Sequence, residues 1–315
     1  AELDEGNIWE AIADPVTAGL GNFTMVVDLN RQSLDRVIPD IAATRLQRFF
    51  ADAGWHVAEA KYGSRLTKAF RLPEGEALRA HIDAMPNEAY QALFALEGTA
   101  VRDKFLEGAD AAVKSLVSDL DDASLKHLVT DLGGHDLGLL VDTFQACDAE
   151  PDRPSVVFAY TIKGWGLPIA GDPLNHAALL TPDQIDTFRA TIGLDAATEW
   201  DRFSEDSAAG RWCAAVGGDI NNPAPVPRPM PPVPAAAGPS VTSGMASTQE
   251  AFGRTLARLA EIDGVGDRIV TTAPDVSIST NLGGWINKRG VFSPTERDDH
   301  GGADRLLKWA PSPTG

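Results

Sequence analysis

Two rhythms of apolar and polar positions run through the first sixty residues. FTMVV, residues 23–27, is a run of β-favouring residues that breaks abruptly into DLNRQS at 28–33. That is the pattern of a buried strand ending in a polar loop. Leu46, Phe49 and Phe50 then share one face of a helix expected over residues 42–53, Gly54 stands where a helix C-cap belongs, and residues 55–60 read as the next strand. Strand, helix and strand within about 40 residues form the βαβ unit of a parallel sheet. A further helix is expected ahead of them, over residues 3–13.

From residue 64 to 129 the period becomes helical, with short breaks. Tyr90, Leu93, Phe94, Val101 and Phe105 are spaced for a helical pair. Residues 64–132 are therefore expected to form a helical insertion in an α/β domain. The sheet resumes with a helix over 137–147 and a strand SVVFAY at 155–160, followed by the loop KGWGLPIAGDPLNHA and helices over 182–191 and 196–207. Residues 221–247 hold eight prolines and read as an extended linker. After it, a helix over 248–262 and a strand over 268–272 would begin a second α/β unit that the remaining residues are too few to finish. The expected organisation is a first domain over 1–220, a linker over 221–247, and the start of a second domain over 248–315.

Composition narrows the function classes. A formal net charge of -18 argues against a nucleic-acid binder, which needs clustered Lys and Arg. An anionic cofactor remains compatible, since a divalent cation can locally oppose the overall charge. Two cysteines without CxxC spacing make a disulfide scaffold or zinc site improbable and fit a reducing cytoplasm. No apolar run reaches the roughly 20 residues of a membrane span. The chain opens AELDEG without Met and closes on APSPTG after a charged stretch, so a fragment is expected.

Three polar clusters follow strands or join strand to helix, where open α/β sheets bind ligands. They are DLNRQ at 28–32, GGHD at 133–136, and the loop 163–176. Each alone reads as an ordinary feature: a solvated turn, a turn with an N-capping Asp136, or a surface histidine at His176. His135 and Asp136 read as structural, and His56, inside a strand, as packing. The three clusters together at one sheet edge say more.

The order and wording of AELDEG, NFTMVVDLNRQSLD, GWHVAEAKYGSR, YQALFALEGTAVRDKF, GGHD and TIKGWG resemble the thiamine diphosphate enzymes of the transketolase type. Most closely they resemble the homodimeric first component of bacterial pyruvate dehydrogenase complexes. The resemblance covers nearly the whole chain, and the insertion before GGHD is specific to that subfamily. It implies a thiamine diphosphate-binding α/β fold with a largely parallel sheet, a helical insertion and the truncated start of a second α/β domain. The cofactors it implies are thiamine diphosphate and Mg²⁺, with Asn30 by its side-chain amide and Gln32 by its backbone carbonyl as metal ligands. A third ligand, an Asp, would fall just before Ala1. Ala1, Glu2 and Leu34 match cofactor-contacting positions, and Ala1 departs from the usual Gly. Lys163 matches an active-site lysine, and His176 a histidine on a mobile loop that handles the 2-oxo acid and its acyl transfer. Asp275 falls in a region facing cofactor and dimer interface, but the surrounding words differ, which leaves another 2-oxo acid open.

The resemblance further implies a bacterial cytoplasmic homodimer acting on pyruvate, with a lipoyl domain of the acyltransferase component as acyl acceptor. An activating glutamate would lie beyond residue 315, so the isolated fragment is expected to be inactive. Two rival readings stand: a ketol-transferring transketolase on sugar phosphates, which would have a much shorter connection in place of 64–132, and a non-catalytic fragment that keeps the fold.

Overall fold

A computed structural model describes residues 3, 5–33, 36–38, 43–220, 232–235, 244–273, 276–298, 300 and 306–313. Among the site positions expected from sequence, Ala1, Glu2, Leu34 and Asp275 lie outside the described residues, as does most of the expected linker. The chain divides into two compact units, residues 1–201 and 202–315.

The first unit is an α/β structure built on a parallel sheet flanked by helices. Helix α1 (Gly6–Ala13) precedes strand β1 (Thr24–Leu29), a two-residue hairpin ladder β2 (Gln32–Ser33) and β3 (Arg36–Val37), helix α2 (Ala43–Asp52) and strand β4 (His56–Ala60). Strand β5 (Ser155–Tyr160) comes nearly a hundred residues later and inserts between the other two, giving the order β1-β5-β4. Both pairings are parallel, with Val27 opposite Phe158 and Ala58 opposite Val157. Every residue of β5 is buried, as its continuous apolar run requires of a strand covered on both sides.

Strand β1 differs from its expected buried character. Val27 and Leu29 face the core, but Val26 points to the opposite face of the strand and is 49% exposed. Under the sheet, Phe50 of α2 packs edge-on against Trp55 and Phe158, with centroids at 5.2 and 5.7 Å. The buried Trp55 indole donates to the Ile12 carbonyl at 3.1 Å, so its polar handle is satisfied while its ring fills the core.

Between β4 and β5 lies the helical block: α3 (Ser64–Ala69), α4 (Gly75–Ala84), α5 (Asn87–Ala95), α6 (Thr99–Phe105), α7 (Ala111–Leu116) and α8 (Asp122–Val129). Asp110 and Asp121 cap α7 and α8 by accepting from Val113 N and Ser124 N. Leu78, Leu93, Val101, Phe105 and Leu125 are fully buried within the block and continuous with the core of the sheet. Its exit is stitched to its entry. The Asp131 carboxylate accepts from Arg65 N and Leu66 N, and its carbonyl accepts from Gly63 N. A block that begins and ends at one neck leaves the sheet on either side undisturbed.

After β5 the first unit continues through helix α10 (Pro182–Thr191), preceded by α9 (Leu137–Asp148) on the way into β5. The helix expected over 196–207 is absent, and a helix forms at α11 (Ala208–Ile220) instead. The Asp195 carboxylate accepts from Ala197 N at 2.7 Å and Glu199 pairs with Arg189. These local bonds hold the segment in turns that compete with a helix.

The second unit holds α11, α12 (Thr248–Leu259), α13 (Gly283–Arg289) and a two-residue parallel ladder, β6 (Val291–Phe292) with β7 (Pro311–Ser312). Leu256, Ala260, Leu282, Trp285 and Ile286 form its core. The strand expected over 268–272 does not form. Residues 266–268 close a 3₁₀ turn and the following residues pair with no strand.

Candidate functional site

The loops leaving β1 and β5 lie side by side at the C-terminal edge of the sheet, because the two strands are parallel neighbours with Leu29 opposite Tyr160. In the first loop the Asn30 Oδ1 accepts from Gln32 N at 3.0 Å. This bridges over Arg31, which takes a left-handed φ of 63°. Arg31 O accepts from Ile38 N at 2.9 Å, closing the β2–β3 hairpin.

The second loop, residues 161–177, folds back on itself. Gly164 and Gly166 have φ of 74° and 79°, a backbone region that suits glycine. Lys163 O accepts from Gly171 N and from Asn175 Nδ2, and Asp172 caps a short 3₁₀ turn over Pro173–His176. This turn places His176 Nδ1 3.0 Å from Lys163 Nζ. A lysine ammonium can only donate, so Nδ1 accepts and the His176 proton sits on Nε2.

The two loops are tied directly. Gln32 Nε2 donates to Asp172 O at 2.9 Å, linking the expected metal loop to the turn that carries His176. The third cluster lies against the same edge. Gly133 and Gly134 pass so close to the sheet that a Cβ on either would meet a backbone oxygen, of Ala60 at 2.6 Å or Tyr160 at 2.5 Å. His135 stacks on Trp165 with centroids 4.7 Å apart, and its Nε2 accepts from Ile162 N at 2.8 Å. Burial holds the His135 pKa below the ordinary imidazole value. Asp136 caps α9 through Leu139 N and also accepts from Ser64 N. These backbone bonds hold its carboxyl below the usual range. GGHD thus works as scaffolding that packs the edge and orients the Lys163 loop, while His56 faces Glu150 at 3.6 Å, away from that edge.

One contributor went unrecognised in the sequence. Helix α5 presents Asn87, Tyr90 and Gln91 to both loops at spacing i, i+3, i+4. Asn87 Nδ2 donates to Ile38 O at 2.9 Å, the Tyr90 ring lies 4.5 Å under the Arg31 guanidinium, and Gln91 Nε2 donates to Gly171 O at 3.0 Å. A glutamine on the buried side of an otherwise apolar helix face was the available signal, since buried amides exist to satisfy some other group.

No family model matches the chain. Along its whole length it is 27% identical to the pyruvate dehydrogenase E1 component of Corynebacterium glutamicum, covering 36% of that protein. It is 26% identical to the pyruvate dehydrogenase E1 component of Cupriavidus necator, covering 37%. A segment of 47% of the chain is 32% identical to the Mycobacterium tuberculosis protein of the same name, covering 16% of it. The chain is similar to pyruvate dehydrogenase E1 components. It spans just over a third of the length of the first two of these relatives.

The donors at the β1 exit fit a hard cation. An amide oxygen has two lone pairs, and the bond from Gln32 N to Asn30 Oδ1 leaves one of them for a metal. Gln32's side-chain NH₂ donates to Asp172 O, and its Oε1 and backbone carbonyl are further oxygen donors at this loop. Neutral oxygen donors suit Mg²⁺, provided phosphate or carboxylate oxygens complete the shell. Among the described residues no group of three His, Cys, Asp or Glu side chains is arranged to hold a metal. Among the described residues no helix is long and apolar enough to cross a membrane.

Proposed function

We propose that this chain is the diphosphate-binding part, with the start of the pyrimidine-binding part, of a thiamine diphosphate- and Mg²⁺-dependent pyruvate dehydrogenase first component. The observation that carries this reading is the bond from Gln32 to Asp172 O, which joins the metal-type loop of β1 to the loop presenting Lys163 and His176. Similarity to pyruvate dehydrogenase E1 components over the full chain supports the substrate class.

Bound thiamine diphosphate would supply the carbanion-stabilising chemistry that decarboxylation of a 2-oxo acid requires. Asn30 and the Gln32 carbonyl would hold Mg²⁺ against the diphosphate, with Ala1, Glu2 and Leu34 contacting the cofactor. The Lys163 ammonium, already donating to His176 Nδ1, fixes the tautomer in which Nε2–H points away from Lys163. That N–H can donate to a substrate carboxylate or carbonyl oxygen, and when the disulfide of an oxidised lipoyl group opens, one sulfur taking the acyl group, His176 could deliver the proton that the other sulfur needs to leave as a thiol. The helical block closes one side of this edge through α5.

The working unit in this reading is a cytoplasmic homodimer that passes its acyl group to a lipoyl domain. An apolar stripe on α9, with Leu137 78%, Val141 54% and Phe144 38% exposed, supports burial against further protein. The domain layout that goes with this reading is 1–220, a linker over 221–247, and 248–315.

The test uses the full native chain with pyruvate and an artificial electron acceptor. CO₂ release that needs both thiamine diphosphate and Mg²⁺, and falls steeply in His176→Ala, is the expected result. Turnover of xylulose 5-phosphate with none of any 2-oxo acid would overturn the assignment.

A further inference from the structure

Arg31 sits between the two residues assigned to the metal, and its side chain points away from them into the protein. It is only 9% exposed, its guanidinium lies 4.5 Å over the Tyr90 ring and 6.0 Å from that of Tyr160, and its Nη1 is buried with no hydrogen-bond partner among the described residues. Among the described residues the groups that act on it are Tyr90, Tyr160 and Tyr62. Burying a cation is costly, and a left-handed φ adds backbone strain for a residue with a side chain. Packing alone would be served better by leucine or methionine.

The surroundings show what the guanidinium is held by. All three tyrosines of the chain meet here. Tyr90 OH donates to Val129 O at 2.5 Å, Tyr62 OH donates to Asp83, and Lys61 Nζ lies 4.8 Å from the Tyr62 ring and 5.7 Å from that of Tyr160. The rings are therefore fixed from behind, Tyr90 by the helical block and Tyr160 by the central strand. A planar cation stacked on a fixed ring has a set position and tilt. Through one residue of backbone that sets where Asn30 Oδ1 and the Gln32 carbonyl point.

We propose that Arg31 is a positioning residue for the metal loop, clamping it to α5 and the end of β5 by stacking on Tyr90 so that Asn30 and Gln32 converge on one cation. This rests on the thiamine diphosphate–Mg²⁺ reading above. The helical block thereby takes part in the metal site without contributing a ligand.

The test is binding of Mn²⁺, a paramagnetic substitute for Mg²⁺, to the full native chain with thiamine diphosphate present, read from the loss of the free Mn²⁺ signal by electron paramagnetic resonance. Arg31→Met and Arg31→Lys are both expected to weaken it by roughly tenfold or more, the scale for residues that orient metal ligands. Lysine keeps the charge but cannot stack as a plane, and it decides the question should the methionine variant fail to fold. Measurement is made well below each variant's melting temperature, and hydrogen exchange over residues 30–38 should rise in both. Wild-type affinity in Arg31→Lys, or a lowered melting temperature with unchanged Mn²⁺ affinity, would overturn the inference while leaving the functional reading in place. Failure of the wild type to take up Mn²⁺ with thiamine diphosphate would overturn both.

Discussion

Replacing Gln91 by leucine separates the stability of the helical block from the order of the His176 loop. Gln91 is 3% exposed, donates Nε2 to Gly171 O at 3.0 Å, and buries an Oε1 with no partner among the described residues. Gln91→Leu leaves the Gly171 carbonyl without its donor, a loss of about 1–3 kcal/mol for a buried polar group. The same change removes the unpartnered Oε1, which recovers a similar amount, and a side chain of comparable volume keeps the packing. The two effects nearly cancel, so global stability should move by no more than about 1 kcal/mol. The loop, in contrast, loses one of its ties to a fixed helix. Gln91→Glu has no such compensation. It would place a carboxylate against a carbonyl oxygen, and a cost above about 3 kcal/mol is expected for an unpaired buried charge. Urea unfolding measures both stabilities, and hydrogen exchange over residues 163–176 measures the loop. Exchange there should rise in Gln91→Leu while β5 stays protected. A stability loss above about 3 kcal/mol in Gln91→Leu, or an unchanged loop, would refute the reasoning.

Three further outcomes follow from the same edge. Burial raises the pKa of all three tyrosines, that of Tyr90 to about 12, so absorbance at the tyrosinate band should stay flat near pH 10 in the folded protein and rise there in denaturant. Their raised folded values also mean that stability is present below the unfolded pKa near 10 and falls as pH climbs above it. One tyrosine ionising near pH 10 in the native state would contradict the cluster. For His135 the sign is opposite: its folded pKa lies below the unfolded value near 6.5, so the unfolded chain binds more protons and stability declines as pH drops below about 6.5. Denaturation midpoints measured from pH 7 to 5 should fall less in His135→Gln, which keeps an acceptor for Ile162 N. Gly134→Ala puts a Cβ 2.5 Å from both Tyr160 O and Thr161 Cγ2, and should cost about 1–3 kcal/mol through backbone movement. An unchanged melting curve would show that the edge is less tightly packed than its geometry implies.

Local pattern alone was enough to find the strands of the sheet, the helical block and the three polar clusters. Strand and helix periods are set by neighbours a few residues away, and the β-rich runs at 24–29, 56–60 and 155–160 are long enough to carry them. It failed where side-chain bonds or the presence of a neighbouring element decide. Residues 196–207 carry a helix-compatible pattern, yet Asp195 and the Arg189–Glu199 pair hold them in turns. Residues 268–272 have strand-forming side chains but no strand beside them among the described residues. β1 carries the apolar run 25–27, but only one of its faces is covered, so alternate residues stay exposed.

The candidate site divides in the same way. The residue types at Asn30, Gln32, Lys163 and His176, and their location just past strand ends, belong to the sequence itself, because oxygen ligands, an ammonium and an imidazole carry their chemistry wherever they are placed. Tertiary structure decided which of them meet. Residues 32 and 172 lie 140 positions apart and touch because β5 inserts between β1 and β4. Gln91, a glutamine on an apolar helix face, carried a faint local signal, but the roles of Tyr90 and the buried Arg31 had none. A side chain's partner across the fold depends on which surfaces are driven together by burying apolar area, and that is a property of the whole core.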